Sequence, residues 1–226
     1  MMNKGEILLR GCRGASVREL QKLLHLVDDG IYGPITCEAV KDFQREHGLV
    51  VDGVVGDKTW SVLLSQSSSL ETMLKVSKRR IDEIIVHCTA TKEGQDLTVS
   101  DLRRMHKSQG WSDIGYHYVV TLDGKCHVGR DVDLVGAHVS GRNSHSIGVV
   151  YVGGLDISGE PSDTRTNAQK EGLRTLLVHL RKLYPKAKIL GHRDCSKDLN
   201  GNGTIEPFEW VKQCPCFNAI KEYSDI

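Results

Sequence analysis

Apolar residues in the first 65 positions recur at helical spacing. In "VRELQKLLHL", Val17, Leu20, Leu23 and Leu24 fall on one face, and in "CEAVKDFQREHG" Ala39, Val40 and Phe43 do the same. Between and after these stretches "DGIYGPIT" (29–36) recurs as "DGVVGDKT" (52–59), an offset of 52 − 29 = 23 residues. Each copy is a glycine-punctuated turn whose Thr, at 36 or 59, can N-cap a short helix. The pattern predicts a small three-helix domain over residues 1–66. A serine cluster in "SQSSSLETMLKVSKRR" then interrupts the apolar spacing and reads as a linker over 67–79.

Beyond the linker the period changes. "IDEIIVHCTA" is a short apolar run suited to a buried strand, and "TVSDLRRMHKSQG" reads as a helix with Ser100 as N-cap and Gly110 as stop. "IGYHYVVTLDGKCHVGRD" predicts two strands joined at Asp123-Gly124. "SIGVVYVGG" is another strand. "TNAQKEGLRTLLVHLRKLYP" opens on a Thr166/Gln169 capping box and stripes Leu173, Leu176, Leu177, Leu180 and Tyr184 along one face. "KAKILGH" is the last strand. This alternation predicts an α/β domain over 80–226, a central mixed β-sheet flanked by helices.

Composition narrows the function classes. The 226 residues are 39% hydrophobic and 26% charged, as in a soluble globular protein. A net charge of +1 without basic clustering argues against nucleic acid as a partner. No run approaches the length of a membrane span, so no membrane insertion is expected. "MMNKGEILLRG" lacks the apolar core of a secretion signal, so the chain is expected to be made in the cytoplasm without a signal peptide. Seven scattered cysteines suggest reduced thiols, one or two of them used for metal. A monomer is expected.

Two strands end in histidine, "IIVH" at His87 and "KILGH" at His192. Strand ends are where α/β folds carry their sites. Imidazole plus thiolate is a zinc-type ligand set, and a hydrolytic zinc takes three protein ligands, leaving a fourth position open. A late cysteine is the natural third ligand, and by position Cys214, Cys216 and Cys195 all qualify. Cys88 follows His87 directly and should point to the opposite face of its strand. A lone strand-end histidine is usually structural; two with a late cysteine favour a metal.

In the first segment, "VRELQKLL", "DGIYGPIT", "AVKDFQ" and "VDGVVGDKTW" together resemble the peptidoglycan-binding modules found beside cell-wall hydrolases. In the second, "IIVHCTAT", "GWSDIGYHYVVTLDG", "VGRD", "GAHVSGRNSHSIGVVYVGG", "GHRD" and "CPCF" follow the order seen in zinc-dependent N-acetylmuramoyl-L-alanine amidases of the phage-lysozyme type, which share their fold with peptidoglycan recognition proteins. The resemblance spans roughly residues 80–220. It implies zinc on His87, His192 and Cys214, a catalytic pair of Tyr116 and Lys212, and a substrate-side role for His138. By position alone Tyr116 is an ordinary strand aromatic and Lys212 a solvated lysine; only the motif context gives them roles. Asn218 stands where the family usually carries Asp. The implied activity is cleavage of the amide between N-acetylmuramic acid and L-alanine in bacterial peptidoglycan, by a phage lysin or an exported autolysin. Two rivals remain: a non-catalytic peptidoglycan sensor, which characteristically lacks the cysteine ligand, and a stem-peptide metallopeptidase.

The chemistry required agrees. Amide hydrolysis needs a polarised carbonyl, an activated water and a stabilised oxyanion, tasks suited to zinc, a tyrosine hydroxyl and a lysine ammonium. One further pattern is unabsorbed. Asp198, Asn200, Asn202, Gly203, Thr204, Ile205, Glu206 and Glu209 match positions 1, 3, 5, 6, 7, 8, 9 and 12 of an EF-hand calcium loop. Asp198, Asn200, Asn202, Thr204 and Glu209 are therefore candidate calcium ligands, the alternative being a solvated turn.

Overall fold

The computed structural model describes residues 6–24 and 26–226. The chain divides into two compact units, Met1–Thr72 and Met73–Ile226.

The first unit contains helices α1 (Ala15–Leu23), α2 (Pro34–Glu46) and α3 (Asp57–Met73). Its core gathers Leu8, Val17, Leu20, Val40, Phe43, Val55, Trp60 and Leu63, the helical-period residues together with short connecting segments. The repeat has a different purpose from the predicted capping. Helix α2 is capped by Gly33 with Pro34 in its first turn, and Thr36 lies inside the helix. Thr36 and Thr59 are buried, and each receives a side-chain amide hydrogen bond, from Gln21 at 3.1 Å and from Gln44 at 3.4 Å. The same glutamines donate from Nε2 to the carboxylates of Asp29 and Asp52 and accept the N–H of Gly30 and Gly53 on their amide oxygens. Gly30 and Gly53 occupy the left-handed region at φ 75° and 69°, where a side chain costs energy. Each repeat is thus a Gln–Asp–Gly–Thr lock closing a turn on the preceding helix.

The predicted linker is partly helical: α3 runs through the serine cluster to Met73. Serine is only mildly unfavourable inside a helix, and Trp60 and Leu63 anchor the first turns in the core. Residues 75–79 are tied down as well. The Ser77 N–H donates to the Tyr184 hydroxyl, the Ser77 hydroxyl to the Val132 carbonyl, and the Arg79 guanidinium to the carbonyls of Val132 and Asn143.

In the second unit the strands are β1 (Glu83–Cys88), β2 (Thr91–Lys92), β3 (Tyr118–Val120), β4 (Cys126–Val128), β5 (Ser146–Tyr151), β6 (Gly154–Leu155) and β7 (Lys188–Gly191). The main sheet has five strands in the order β4-β3-β5-β1-β7, and β2 pairs with β6 in a small second sheet. Only β3 and β4 are antiparallel, so the sheet is mixed, as the alternation predicts. The β3–β4 hairpin turns at Asp123-Gly124. Gly124, at φ 77°, sits so close to helix α5 (Asn167–Leu183) that a β-carbon there would lie 2.3 Å from the Ala168 carbonyl.

Helix α5 opens on the Thr166/Gln169 capping box, and Leu173, Leu176, Leu177 and Leu180 are fully buried. Helix α4 (Val99–Ser108) starts two residues earlier than predicted, because Thr98 and Asp101 form a reciprocal capping box and Ser100 lies within the first turn. Strand β1 is an interior strand, paired in parallel with β5 on one side and β7 on the other. His87 and His192 therefore emerge at the same end of adjacent strands. The short helix α6 (Ala219–Glu222) follows, N-capped by the Asn218 side chain.

Candidate active site

His87 is the penultimate residue of β1, and His192 follows β7 directly. Their Nδ1 atoms lie 3.1 Å apart, and Cys214 Sγ lies 3.8 Å from His87 Nδ1. Among the described residues these three form the one group of His, Cys, Asp and Glu whose donor atoms could share a metal, all within 4.8 Å of one another. With bonds of about 2.0–2.1 Å to nitrogen and 2.3 Å to sulfur, a tetrahedral zinc separates its ligand atoms by roughly 3.3–3.6 Å. The donor set and its spacing fit that ion.

Cys214 is brought to the strand ends by several contacts. The Arg193 N–H donates to the Cys214 carbonyl at 2.8 Å, and the Tyr151 hydroxyl to the Pro215 carbonyl at 2.7 Å. The Cys88 N–H donates to Cys214 Sγ at 3.2 Å, which fixes the direction of the sulfur. Gly191 allows this approach: a β-carbon there would meet Pro215 Cδ at 2.6 Å. The two other candidate cysteines point away from the group. Cys195 Sγ donates to the Gly191 carbonyl, and Cys216 Sγ to the Gly154 carbonyl while lying 3.9 Å from Cys88 Sγ.

Burial sets the protonation of the histidines. His87 is 1% exposed, and desolvation pushes its pKa well below the usual imidazole value. His192 is pushed down to about 4, first by burial and then by the Lys212 ammonium. Lys212 also adds to the depression at His87, so its charge acts on both rings although its side chain is exposed. Neutral imidazoles are the metal-binding form. The Tyr116 ring lies beside His87, centroids 5.1 Å apart, and beside His106 at 5.5 Å. Burial raises the Tyr116 pKa, keeping its hydroxyl a proton donor at neutral pH.

His138, to which the resemblance gives a substrate-side role, lies next to His87. It is 9% exposed, with Nδ1 3.1 Å from His87 Nε2 and Nε2 3.3 Å from the Ser146 hydroxyl. Both ring nitrogens are engaged inside the protein, behind His87. Nothing in the sequence marks Ser146 as part of this arrangement except its place at the start of β5, beside the "GAH" segment.

The calcium-type loop is held by its own hydrogen bonds. One Glu209 oxygen accepts the N–H of Leu199 and Asn200, and the other accepts that of Glu206. Asp198 accepts from the N–H of Gly201 and Gly203, Asn200 from Asn202, and Asn202 from Thr204. The Asn200 and Asn202 amides donate to Glu206. Backbone donors lower the pKa of Glu209, the Glu206 N–H foremost, and of Asp198, the Gly203 N–H foremost. Asp198 and Glu209 thus both accept backbone N–H groups within the loop. The loop is closed where the Val211 N–H donates to the Ser196 hydroxyl and Arg193 stacks 4.2 Å from the Trp210 ring.

A mixed sheet with two histidines and a cysteine gathered at its strand ends is the architecture of the second unit, and its fold is shared with a solved endolysin N-acetylmuramoyl-L-alanine amidase from Clostridium intestinale. That match has a TM-score of 0.50 at 24% identity and covers 68% of this chain and 88% of the other. Residues 77–209 match the N-acetylmuramoyl-L-alanine amidase family, and residues 13–63 match a putative peptidoglycan binding domain. The chain is 46% identical to the endolysin of Klebsiella phage KP32 over 52% of its own length and 78% of that protein. It is 45% identical to the endolysin of Enterobacteria phage K11 over 60% of its length and 88% of that protein. The chain belongs to the N-acetylmuramoyl-L-alanine amidase family and is a peptidoglycan hydrolase. Among the described residues no helix is long and apolar enough to cross a membrane.

Proposed function

We propose that this chain is a zinc-dependent endolysin that cleaves the amide between the lactyl group of N-acetylmuramic acid and the L-alanine of the stem peptide. The observation that carries the zinc requirement is the His87–His192–Cys214 group at the strand ends of an amidase-family domain. When bound there, zinc supplies Lewis-acid polarisation and lowers the pKa of its water towards about 7. The chain's own residues supply the rest. Neutral His87 and His192 and the Cys88-supported Cys214 sulfur hold the ion. Tyr116, protonated at neutral pH, donates a hydrogen bond at the reacting centre. Lys212 faces the developing oxyanion with its ammonium. Calcium is not part of this reading.

Mass spectrometry of purified peptidoglycan after digestion tests the reaction. An amidase releases the intact stem with a free L-Ala amine, and a zinc chelator added beforehand should stop release. Products cut within the stem would make the enzyme a peptidase, and digestion indifferent to chelation would remove zinc from the mechanism.

The first unit is proposed to hold the enzyme on the wall. Its second repeat turn is locked by Gln44, whose amide donates to Asp52, Val54 and Thr59 and accepts from Asp52 and Gly53. Gln44→Leu leaves the buried Gly53 N–H and Thr59 hydroxyl without this partner, a loss of about 1–3 kcal/mol per buried group. Sedimentation with insoluble peptidoglycan should fall sharply, whereas hydrolysis of small soluble muropeptides should stay near wild type. Equal losses in both assays would deny the first unit a separate binding role.

A further inference from the structure

A chain of hydrogen bonds runs from the start of β5 to the metal-type group, and its proton positions can be worked out from one end. The Ser146 hydroxyl lies 2.8 Å from the Arg142 carbonyl, which can only accept. The single hydroxyl hydrogen is therefore committed to Arg142, and the oxygen has only lone pairs to offer its other neighbour, His138 Nε2, at 3.3 Å. His138 must carry its proton on Nε2 and leave Nδ1 as an acceptor. That Nδ1 lies 3.1 Å from His87 Nε2, so His87 must donate from Nε2. His87 Nδ1 is then unprotonated, and it is the atom that faces His192 Nδ1 at 3.1 Å and Cys214 Sγ at 3.8 Å.

The middle ring has no freedom to escape this sequence. The main chain at His138 is fixed by the Asn143 side-chain oxygen, which accepts the N–H of His138 and Val139, both at 2.9 Å. The ring itself is clasped between two glycines: a β-carbon at Gly136 or Gly148 would lie 2.7 Å from it. Ser146 is fully buried, so water does not compete for its hydroxyl.

We propose that Ser146 is a positioning residue which, through His138, fixes the tautomer of His87 so that an unprotonated Nδ1 faces His192 and Cys214. The inference rests on the zinc reading only for its consequence, since the tautomers belong to the metal-free chain. Metal-binding histidines are commonly oriented by a partner on the other ring nitrogen, and loss of such a partner costs about 10–100-fold in affinity. Here that partner is a second histidine whose own tautomer is dictated by a serine.

Long-range nitrogen–proton NMR on the metal-free full chain reads the tautomers directly. His87 and His138 should both appear as Nε2–H forms in the wild type. Ser146→Ala removes the acceptor for His138 Nε2–H and leaves the ring free to protonate Nδ1 instead. His138 and His87 should then show Nδ1–H populations, and zinc affinity, measured by competition with a chromophoric chelator, should fall about 10–100-fold. A wild-type His87 carrying its proton on Nδ1 overturns the proposal, whether or not the alanine variant folds. So does a folded Ser146→Ala protein with unchanged tautomers. A protein that shows the expected tautomers but takes up no zinc would instead refute the metal reading and leave the hydrogen-bond chain standing.

Discussion

Cys214→Ser is expected to bring muropeptide hydrolysis to background and to lower zinc affinity by more than about 100-fold, the upper end of what loss of a mere outer partner costs. The reason is local. Cys214 Sγ is the single sulfur gathered with the two strand-end imidazoles, and a serine hydroxyl is a far weaker soft-metal donor than a thiolate. Cys195→Ser and Cys216→Ser provide the contrast. Their sulfurs donate to the carbonyls of Gly191 and Gly154, and a serine hydroxyl can make the same bond. Both variants should keep most of their zinc and activity. Elemental analysis of purified protein beside the digestion assay checks all three. Normal zinc content in Cys214→Ser would move the ligand set elsewhere.

Much of this site was legible in the sequence because its parts are tied to strand ends. "IIVH" and "KILGH" announce two strands with a histidine at their ends, and the β1–β7 parallel pairing brings those ends side by side. Which late cysteine joins them was not legible from spacing. That depends on the Arg193–Cys214 and Tyr151–Pro215 contacts, made between residues far apart in the chain. The place of His138 was hidden for a similar reason. Its partners, His87 and Ser146, are set by sheet register, which motif order does not carry.

Local signals misled where a longer-range partner took over. Thr36 and Thr59 have the composition of helix caps, yet Gln21 and Gln44, fifteen residues earlier in each repeat, recruit them into buried locks. The serine cluster after Leu64 has the composition of a linker, yet a helix already anchored by Trp60 and Leu63 continues through it. In the 198–209 loop, the residues that match a calcium ligand pattern are also those that close Asx-type turns. The oxygens of Asp198, Asn200, Asn202 and Glu209 serve backbone N–H groups. The alternate-residue spacing alone cannot separate the two uses.

Lys212→Met is expected to lower kcat by about 10²–10³, the usual cost of losing one oxyanion-stabilising group, with KM and zinc content close to wild type. Two observations support an electrostatic role. The Lys212 charge reaches both His87 and His192, depressing their proton affinity, so it sits within electrostatic range of the metal-type group. Its side chain is solvent-exposed, so methionine, nearly isosteric along the chain, removes the charge without opening a cavity. An effect on binding alone would raise KM and leave kcat intact. Lys212→Arg sharpens the distinction, since it preserves the charge but spreads it over a planar fork of different reach. It should recover part of the lost kcat. If Lys212→Met and Lys212→Arg both turn over soluble muropeptides at the wild-type kcat, Lys212 has no share in stabilising the oxyanion, and that task must pass to Tyr116 and the metal.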